Sequence, residues 1–278
     1  MSADLHMHST YSDGVLTPLQ LVQRAQAAGV TLMSLTDHDT FDGVDSLRGQ
    51  TLPVRMIPGV ELSLRDMHGL HLLGYGLTEA PTLRGRVKEL ARCRQERARA
   101  MLRRLEELGM PLSWQELTDG YAGTVGRAHI ARAMIAKGYV HSMGEAFDRY
   151  LGVGKRAYVA GERLSMAEAL PLMRGDGFVP VLAHPRLLQQ DELTLRMLVR
   201  HWADQGLMGV EAVHPSARGC EEQLTRMARE MGLLVTGGSD YHDDNDSHAS
   251  VGYPAQQWLT MQQDALAFSE AVRAAQHT

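Results

Sequence analysis

The sequence contains little cysteine, no long apolar run and no excess of positive charge. Its 278 residues include only two cysteines, Cys93 and Cys220, too few for a disulfide framework or a zinc site built from thiolates. No stretch approaches the roughly eighteen consecutive apolar residues that a membrane-spanning helix needs. The formal net charge is -5, whereas proteins that bind duplex DNA or anionic membranes are usually basic. We therefore expect a cytoplasmic protein with neither a membrane nor duplex DNA among its partners.

The rest of the composition is that of a globular enzyme. Hydrophobic residues make up 44% of the chain and charged residues 22%, so the chain can bury a sizeable core as one barrel or as two smaller units. Thirteen histidines are the unusual feature. Either they are scattered surface and core residues, or some of them bind a metal that prefers imidazole and carboxylate ligands.

Short β-rich runs recur along most of the chain, and helix patterns lie between several of them. Thr17 is a typical N-cap before Pro18, and Ser165 forms a capping box with Glu168. Strands that alternate with helices predict a mainly parallel sheet, either open or closed into a barrel. The seven predicted strands are Ala3 to His8, Leu32 to Leu35, Val54 to Val60, Leu70 to Tyr75, Phe178 to Ala183, Met208 to Val213 and Leu233 to Thr236.

The stretch from Arg84 to Tyr158 breaks this alternation. It has helical periodicity without convincing strands, and its first part carries many arginines with few acidic partners. A run of charges usually forms a solvated helix face, but the excess of one sign favours a surface that faces phosphate. We expect an α/β unit formed by residues 1–83 and 159–278, with residues 84–158 as a helical insertion that caps it.

Histidines and carboxylates occur together where predicted strands end. In parallel α/β architectures the carboxyl ends of strands converge on one face, so these residues could surround one pocket. His6 and His8 are two apart on a strand, which points both imidazoles to the same side. One such residue alone is more often structural, but the joint arrangement predicts a metal site. The five segments are DLHMHSTYSDG at the N-terminus, TDHD at 36–39, GVE ending at Glu61, AHP at 183–185 and GSDYH at 238–242.

On these motifs the chain resembles the PHP (polymerase and histidinol phosphatase) family of metal-dependent phosphoesterases across nearly its whole length. The resemblance implies a distorted seven-stranded (β/α) barrel that holds two or three divalent ions, with manganese expected and zinc or iron as alternatives. Asp37 and Asp39 would orient the ligands, although either could itself be a ligand. The implied ligands are His6, His8, Glu61 and Asp240 for a first ion, Asp13, His38 and His242 for a second, and His71, His184 and a bridging Glu61 for a third.

The implied chemistry needs no protein nucleophile. Adjacent divalent ions lower the pKa of a shared water to give hydroxide, and they neutralise phosphoryl oxygens in the transition state. The sequence accordingly lacks a Walker-type GxxxxGK(S/T) run and a GxSxG elbow. Asp13 is expected to be catalytic as well as a ligand. His214 is a candidate to protonate the leaving group, although it could simply cap a strand.

Four cations are expected to bind the substrate. Arg127 and His129 lie in GRAHIARAM, and Lys155 lies in GKRAY. Such residues are often plain helix-surface cations, but the GRxH motif and the following Gly-Lys segment resemble the PHP branch that hydrolyses nucleoside 3',5'-bisphosphates and trims short RNA from its 5' end. A second phosphate needs cations away from the metals, and an arginine fork suits it. Arg186 is the fourth candidate, although it follows Pro185 directly where the family often has an intervening glycine.

The favoured function is a metal-dependent phosphomonoesterase for small nucleotides such as adenosine 3',5'-bisphosphate, with short single-stranded RNA as a further substrate. Histidinol-phosphate phosphatase is an alternative because that activity uses the same barrel, but the helical insertion with its GRxH motif argues against it. An RNA-binding module with a degenerate metal site is another alternative. It is disfavoured because every ligand position is filled.

Overall fold

The computed structural model describes residues 2–76, 79–119, 125–244, 250–253 and 262–275. Its centre is a sheet of seven strands that follow one another in chain order. Each predicted strand is present at its predicted place, although the first has only two residues. The strands are β1 Ala3–Asp4, β2 Leu32–Leu35, β3 Arg55–Ser63, β4 His71–Tyr75, β5 Val179–Leu182, β6 Gly209–Val213 and β7 Leu234–Gly237.

The sheet is parallel except at β4, which runs antiparallel to both β3 and β5. The other neighbouring strands are parallel, as the sequence predicts. The reversal was not predicted, and it follows from the short connection of residues 64–70, because a parallel crossover needs about a dozen residues or more. In consequence the first residue of β4, His71, pairs with the last residue of β3, Ser63, and both lie at the same end of the sheet.

The residues that follow β1 and β7 close the sheet into a barrel. Leu5 N donates to the carbonyl of Gly237 at 3.2 Å, and His8 N donates to that of Tyr241 at 3.0 Å. Met7 and Tyr241 also form an isolated parallel bridge. The predicted distorted seven-stranded barrel is thus confirmed, and strand ends that are distant in sequence meet around one rim.

Helices surround the barrel, and their caps follow the sequence signals. Thr17 forms a capping box with Gln20, and Ser165 does so with Glu168. None of the helices in the described ranges is both long and apolar enough to cross a membrane. The helices are α1 Pro18–Ala27, α2 Asp42–Ser46, α3 Pro81–Glu107, α4 Trp114–Thr118, α5 Arg127–Ala136, α6 Met143–Ala146, α7 Met166–Gly175, α8 Glu192–Asp204, α9 Glu221–Glu230 and α10 Gln262–Ala275, with a π-helix at Phe147–Leu151 and 3-10 turns at Pro185–Leu188 and Pro215–Ala217.

The long helix α3 belongs to two apolar clusters. Its first half adds Leu83 and Val87 to the cluster that surrounds the barrel. Its second half adds Met101 and Leu105 to a separate cluster built from α3 to Ala157. This second cluster supports the prediction of a helical insertion as a unit of its own. The predicted boundary at residue 84 lies inside α3, so the exact division stays a prediction.

The arginines of α3 face two ways. Arg92 is exposed and pairs with Glu96 at 2.8 Å, and the Arg99 guanidinium lies 3.9 Å from the centre of the Trp114 ring. Arg94 and Arg97 instead line a cavity beside the barrel rim. The arginine run therefore combines a solvated helix face with a second face directed at a cavity.

Candidate metal centre

The rim of the barrel collects the predicted ligands. His6, His8, Glu61 and Asp240 each offer a ligand atom within 4.8 Å of the others, and all four are buried. A second group, with His8, Asp13, His38 and His242, meets the same criterion. These two groups contain every residue that was predicted for the first and second ions, and His8 belongs to both.

Glu61 lies at the centre of the cluster, and its two oxygens face different histidines. Oε1 is 2.8 Å from His71 Nδ1 and 3.0 Å from His184 Nε2, the residues predicted for a third ion. Oε2 is 3.1 to 3.2 Å from nitrogens of His38, His6 and His8. A carboxylate in this position can join two cation sites, because each oxygen belongs to a different set of imidazoles.

The donor set fits divalent cations. Among the described residues, Glu61 Oε2 and His38 Nδ1 are buried without a well-directed hydrogen bond, although they lie only 3.1 Å apart. A buried carboxylate oxygen that lacks a partner is costly, and a cation removes that cost. Mixed imidazole and carboxylate ligands suit manganese, iron and zinc. Ligation by the nine residues stays a prediction that this convergence supports.

The pKa values indicate that the carboxylates of the cluster are ionised. Burial raises the pKa of Glu61, but the imidazoles of His38 and His6 outweigh burial and hold that pKa well below its usual value. Burial lowers the pKa of His8, but Asp240 and Glu61 outweigh burial and raise that pKa to about 10. Without a cation, protons on imidazoles compensate the carboxylates. Metal binding must displace those protons, so metal affinity should increase with pH.

Two glycines allow the ligand-bearing loops to approach the segment after β1 that carries His6 and His8. A Cβ at Gly14 would lie 2.1 Å from the carbonyl oxygen of His8, and one at Gly238 would lie 2.3 Å from the Cβ of His6. His184 and Asp240 have positive φ angles of 25° and 53°, which side chains rarely adopt. Such strain persists where surrounding contacts fix it, and it is concentrated at functional sites.

Glu211, which sequence reasoning missed, contacts two of the predicted ligand residues from strand β6. Its Oε1 lies 3.0 Å from His6 Nδ1, and its Oε2 accepts a hydrogen bond from the backbone N of His184 at 2.8 Å. A carboxylate behind a ligand histidine fixes the ring orientation and increases its basicity. A signal was available, because Glu211 is the one charged residue in the fully buried strand GVEAV.

Asp37 and Asp39 act on the backbone around the cluster. Asp37 accepts hydrogen bonds from Ser9 N at 2.7 Å and from Ser12 Oγ at 2.6 Å, so it shapes the loop that leads to Asp13. Asp39 accepts from Ser63 N at 2.9 Å and pairs with Arg94. Their predicted orienting role is therefore exerted on loops and on an arginine.

We expect Glu211→Gln to weaken the binding of manganese by about 10- to 100-fold, because an amide can accept only one of the two hydrogen bonds and supplies no charge to His6. Calorimetric titration of the metal-free protein with manganese measures the change. Glu222→Gln, on the exposed face of α9, is the matched control and should bind like the unaltered protein. Equal affinities for both variants would exclude a supporting role for Glu211.

Two neighbouring cavities, which share three lining residues, lie beside the cluster. The inner cavity, about 150 Å³, is lined by Asp13, His38 and His71 together with four arginines. The outer cavity, about 380 Å³, is lined by apolar and aromatic side chains together with three of the same arginines. The arginines of the inner cavity, called the arginine cradle below, are Arg94, Arg97, Arg127 and Arg163.

The arginine cradle concentrates positive charge. Burial, and to a smaller extent the neighbouring arginines, lower the pKa of Arg94 to about 9 and that of Arg127 to about 10. Within the described ranges Arg97 and Arg163 bond to carbonyl oxygens, those of Val159 at 2.6 Å and Leu64 at 3.4 Å, and form no ion pair with a carboxylate. Buried cations that repel one another form a site for an anion.

Of the four residues predicted to bind substrate, only Arg127 lines the two cavities. Arg127 lines both cavities, and Arg163 was missed because nothing in its local sequence marks it. His129 is buried, and its Nδ1 accepts a hydrogen bond from Gly126 N at 3.1 Å, so the geometry gives substrate binding by His129 no support. Lys155 is exposed and Arg186 is half-buried, and neither lines the two cavities.

Asp13 and His214, the predicted catalytic residues, differ in their access to substrate. Asp13 lines the inner cavity, with one oxygen 3.3 Å from His242 Nε2. His214 is fully buried, and its Nδ1 accepts a hydrogen bond from Ser216 N at 3.0 Å. In the neutral ring the proton then lies on Nε2, 3.4 Å from Asp240 Oδ2. This geometry favours positioning of Asp240 and does not support proton donation to a leaving group.

Comparisons with known proteins agree with this site. A model of the PHP domain matches residues 4–73. The chain is 34% identical over 244 residues to a 5'-3' exoribonuclease of Haemophilus influenzae, which covers 86% of this chain and 89% of the relative. It is 30% identical over 261 residues to a 3',5'-nucleoside bisphosphate phosphatase of Chromobacterium violaceum, with 90% of each chain covered.

A solved structure gives the same answer for the fold. A Bifidobacterium adolescentis protein, provisionally described as a metal-dependent phosphoesterase, superposes with a TM-score of 0.78 at 27% identity, covering 89% of this chain and 90% of that one. The fold and the site together define a metal-dependent hydrolase that acts on phosphoester bonds. More particularly, the chain belongs to the PHP domain family. The family and the class of enzyme expected from the sequence are thereby confirmed.

Proposed function

We propose that this enzyme hydrolyses nucleoside 3',5'-bisphosphates such as adenosine 3',5'-bisphosphate, and that it also shortens single-stranded RNA from the 5' end. The observation that carries the proposal is that the arginine cradle lines the same inner cavity as Asp13, His38 and His71. One cavity therefore offers two places for phosphate. A substrate with two phosphate groups matches this arrangement better than a substrate with one.

The nine predicted ligands would hold two or three divalent ions, for which we propose manganese. When bound, these ions neutralise the reacting phosphoryl group and make water a nucleophile at neutral pH. The chain itself supplies the anionic carboxylates of Glu61, Asp240 and Asp13, and the loops that fix them. Glu211 and His214 orient the histidine and aspartate ligands that they contact.

The arginine cradle would bind the phosphate group that is not cleaved. A guanidinium presents a rigid fork that pairs with two phosphate oxygens at once, and its burial strengthens that pairing. Arg127 is the best placed, because it lines both cavities and packs against the Phe147 ring at 5.4 Å. In this position it fixes the distance between the bound phosphate and the cluster.

The nucleobase would lie in the outer cavity. The inner cavity is about 150 Å³, which is small beside the roughly 300–1,000 Å³ of ordinary ligand pockets, so it accommodates only part of a nucleotide. The outer cavity adds about 380 Å³ and is lined by Tyr158, His68, Leu64 and Met67 among others. Aromatic and apolar side chains of this kind can contact the flat face of any nucleobase, so they do not discriminate between bases.

Charge argues against histidinol phosphate as the substrate. Histidinol phosphate carries a cationic amine, whereas the described lining of the outer cavity contains four arginines and no carboxylate. An ammonium group in that place would meet like charges without a partner. The second proposed activity, on RNA, draws its support from the similarity to the exoribonuclease of Haemophilus influenzae.

The test presents the purified protein and manganese with adenosine 3',5'-bisphosphate, adenosine 3'-monophosphate, histidinol phosphate and a short 5'-phosphorylated RNA. We expect kcat/KM for the bisphosphate to exceed that for each monophosphate by about 10- to 100-fold, the value of a charge-assisted contact. Phosphate release and product length are measured side by side. Faster hydrolysis of histidinol phosphate than of the bisphosphate would overturn the proposal.

A further inference from the structure

Two loops of the barrel meet at the predicted second ion. The loop after β1 carries Asp13, and the loop after β7 carries His242, whose Nε2 lies 3.3 Å from Asp13 Oδ1. The backbones of the two loops also bond to each other, where Asp240 N donates to the carbonyl oxygen of His6 at 2.8 Å and Val15 N to that of His242 at 3.0 Å. Both loops lie outside the regular strands, so the spacing of Asp13 and His242 depends on these few backbone bonds and on side-chain contacts.

Arg132 reaches both loops from the helical insertion. Its Nη1 donates to the backbone carbonyl of Asp13 at 2.9 Å, and its Nη2 lies 3.6 Å from Asp243 Oδ2. The side chain is 27% exposed, so the guanidinium is only partly solvated. A planar guanidinium with donors in a fixed fork is suited to holding two partners at a set distance.

The helix that carries Arg132 is itself firmly placed. Ile130, Ala131 and Met134 of α5 are buried in the apolar cluster of the insertion. His129, one turn earlier, hydrogen-bonds the backbone of Ser12 in the same loop as Asp13. Since Gly126 N occupies its Nδ1, the neutral ring donates through Nε2. Two consecutive parts of α5 therefore bind the loop that leads to Asp13.

We propose that Arg132 is a positioning residue, through which the insertion holds the loops of Asp13 and His242 at the spacing that the second ion needs. This inference rests on the proposed metal binding by the two loops. Arg132 touches the backbone of one ligand and the neighbour of the other, and it acts on the cation only through them. The insertion thus completes the metal site in addition to covering the cavity.

The test measures metal binding rather than turnover. Arg132→Met keeps the length of the side chain but removes its charge and donors, and Asp243→Asn removes the charge at the other end of the bridge. Arg92→Met on the exposed face of α3 is the matched control. Metal-free proteins are titrated with manganese by calorimetry, metal content after dialysis is determined by elemental analysis, and metal-free unfolding temperatures are recorded.

We expect the Arg132→Met and Asp243→Asn proteins to bind one ion about 10- to 100-fold more weakly, while the remaining ion or ions bind as in the control. Arg132→Lys should recover part of the loss, because it keeps the charge. Equal weakening of every ion, accompanied by a lower metal-free unfolding temperature, would indicate a general loss of folding and overturn the inference. Unchanged affinity in both variants would overturn it too.

Failure of the proposed function gives a different pattern. If the enzyme prefers a substrate without a second phosphate but one ion is selectively lost in Arg132→Met, the substrate proposal fails and the inference stands. If the unaltered protein binds only the ions of the other ligand sets, with Arg132→Met identical to it, the inference fails while hydrolysis of the bisphosphate can persist.

Discussion

Replacing Glu61 with glutamine is expected to reduce kcat/KM by about 10³-fold or more, which corresponds to roughly 4 kcal/mol in the activation free energy. The same change should reduce the manganese content of the dialysed protein. Glu61 is buried, and its two oxygens lie within 3.2 Å of five imidazoles in total, so a neutral amide leaves both cation sites without their shared charge. Steady-state kinetics and elemental analysis measure the two effects.

A matched control separates this effect from a general loss of charge. Glu96→Gln removes an equivalent carboxylate from the exposed face of α3, where it pairs only weakly with Arg92. It should retain full activity and full metal content. Full metal content together with normal activity in Glu61→Gln would remove Glu61 from the cluster and contradict the proposed ligand sets.

Arg127→Ala is expected to reduce kcat/KM for adenosine 3',5'-bisphosphate by roughly 2 to 4 kcal/mol, about 30- to 1,000-fold, through loss of a charge-assisted contact. Adenosine 3'-monophosphate should be affected much less, because it has no second phosphate for the arginine cradle. The two substrates are compared with one enzyme preparation, so the ratio of their losses is independent of protein concentration and folding.

The control and the contrary result for Arg127 are equally specific. Arg92→Ala should leave kcat/KM for both substrates unchanged, since Arg92 is exposed and lines neither cavity. Equal losses on both substrates in Arg127→Ala would mean that Arg127 contacts the cleaved phosphate, or that it only packs against Phe147. Either result would remove the main residue-level support for the bisphosphate.

The sequence was sufficient to predict the strands and helices and to place the candidate ligands at strand ends. Strand alternation, caps such as Thr17 and Ser165, and the pair His6 and His8 are encoded within a few residues, so each can be recognised without knowledge of the rest. The convergence of the ligands was predictable as well, because the carboxyl ends of parallel strands must meet. His71 reaches this rim from the opposite direction, since β4 is antiparallel and begins there.

Only the tertiary structure decided which cations face the substrate. The cavity is lined by Arg94 of α3, by Arg127 of α5 and by Arg163 in the segment that leads back to the barrel. These side chains lie close together only because of the way in which the insertion packs on the barrel. The phase of a long helix relative to the barrel is set by contacts distant in sequence. For this reason one run of arginines contains both the exposed Arg92 and the cavity-lining Arg97.

Burial likewise decided the roles of the histidines and of Glu211. His129 and His214 have the same local signals as ligands or acids, but the Nδ1 atom of each ring accepts a hydrogen bond from a backbone N inside the protein. Glu211 lies in an otherwise apolar strand. A carboxylate at this position is explained only by its contact with His6, which lies 205 residues earlier in the sequence. Local sequence therefore determined the strands and the positions of the candidate ligands. Long-range packing determined which polar groups are buried and which partners they contact. The reason is that the fold, and not the neighbours in sequence, brings hydrogen-bond partners to a buried group.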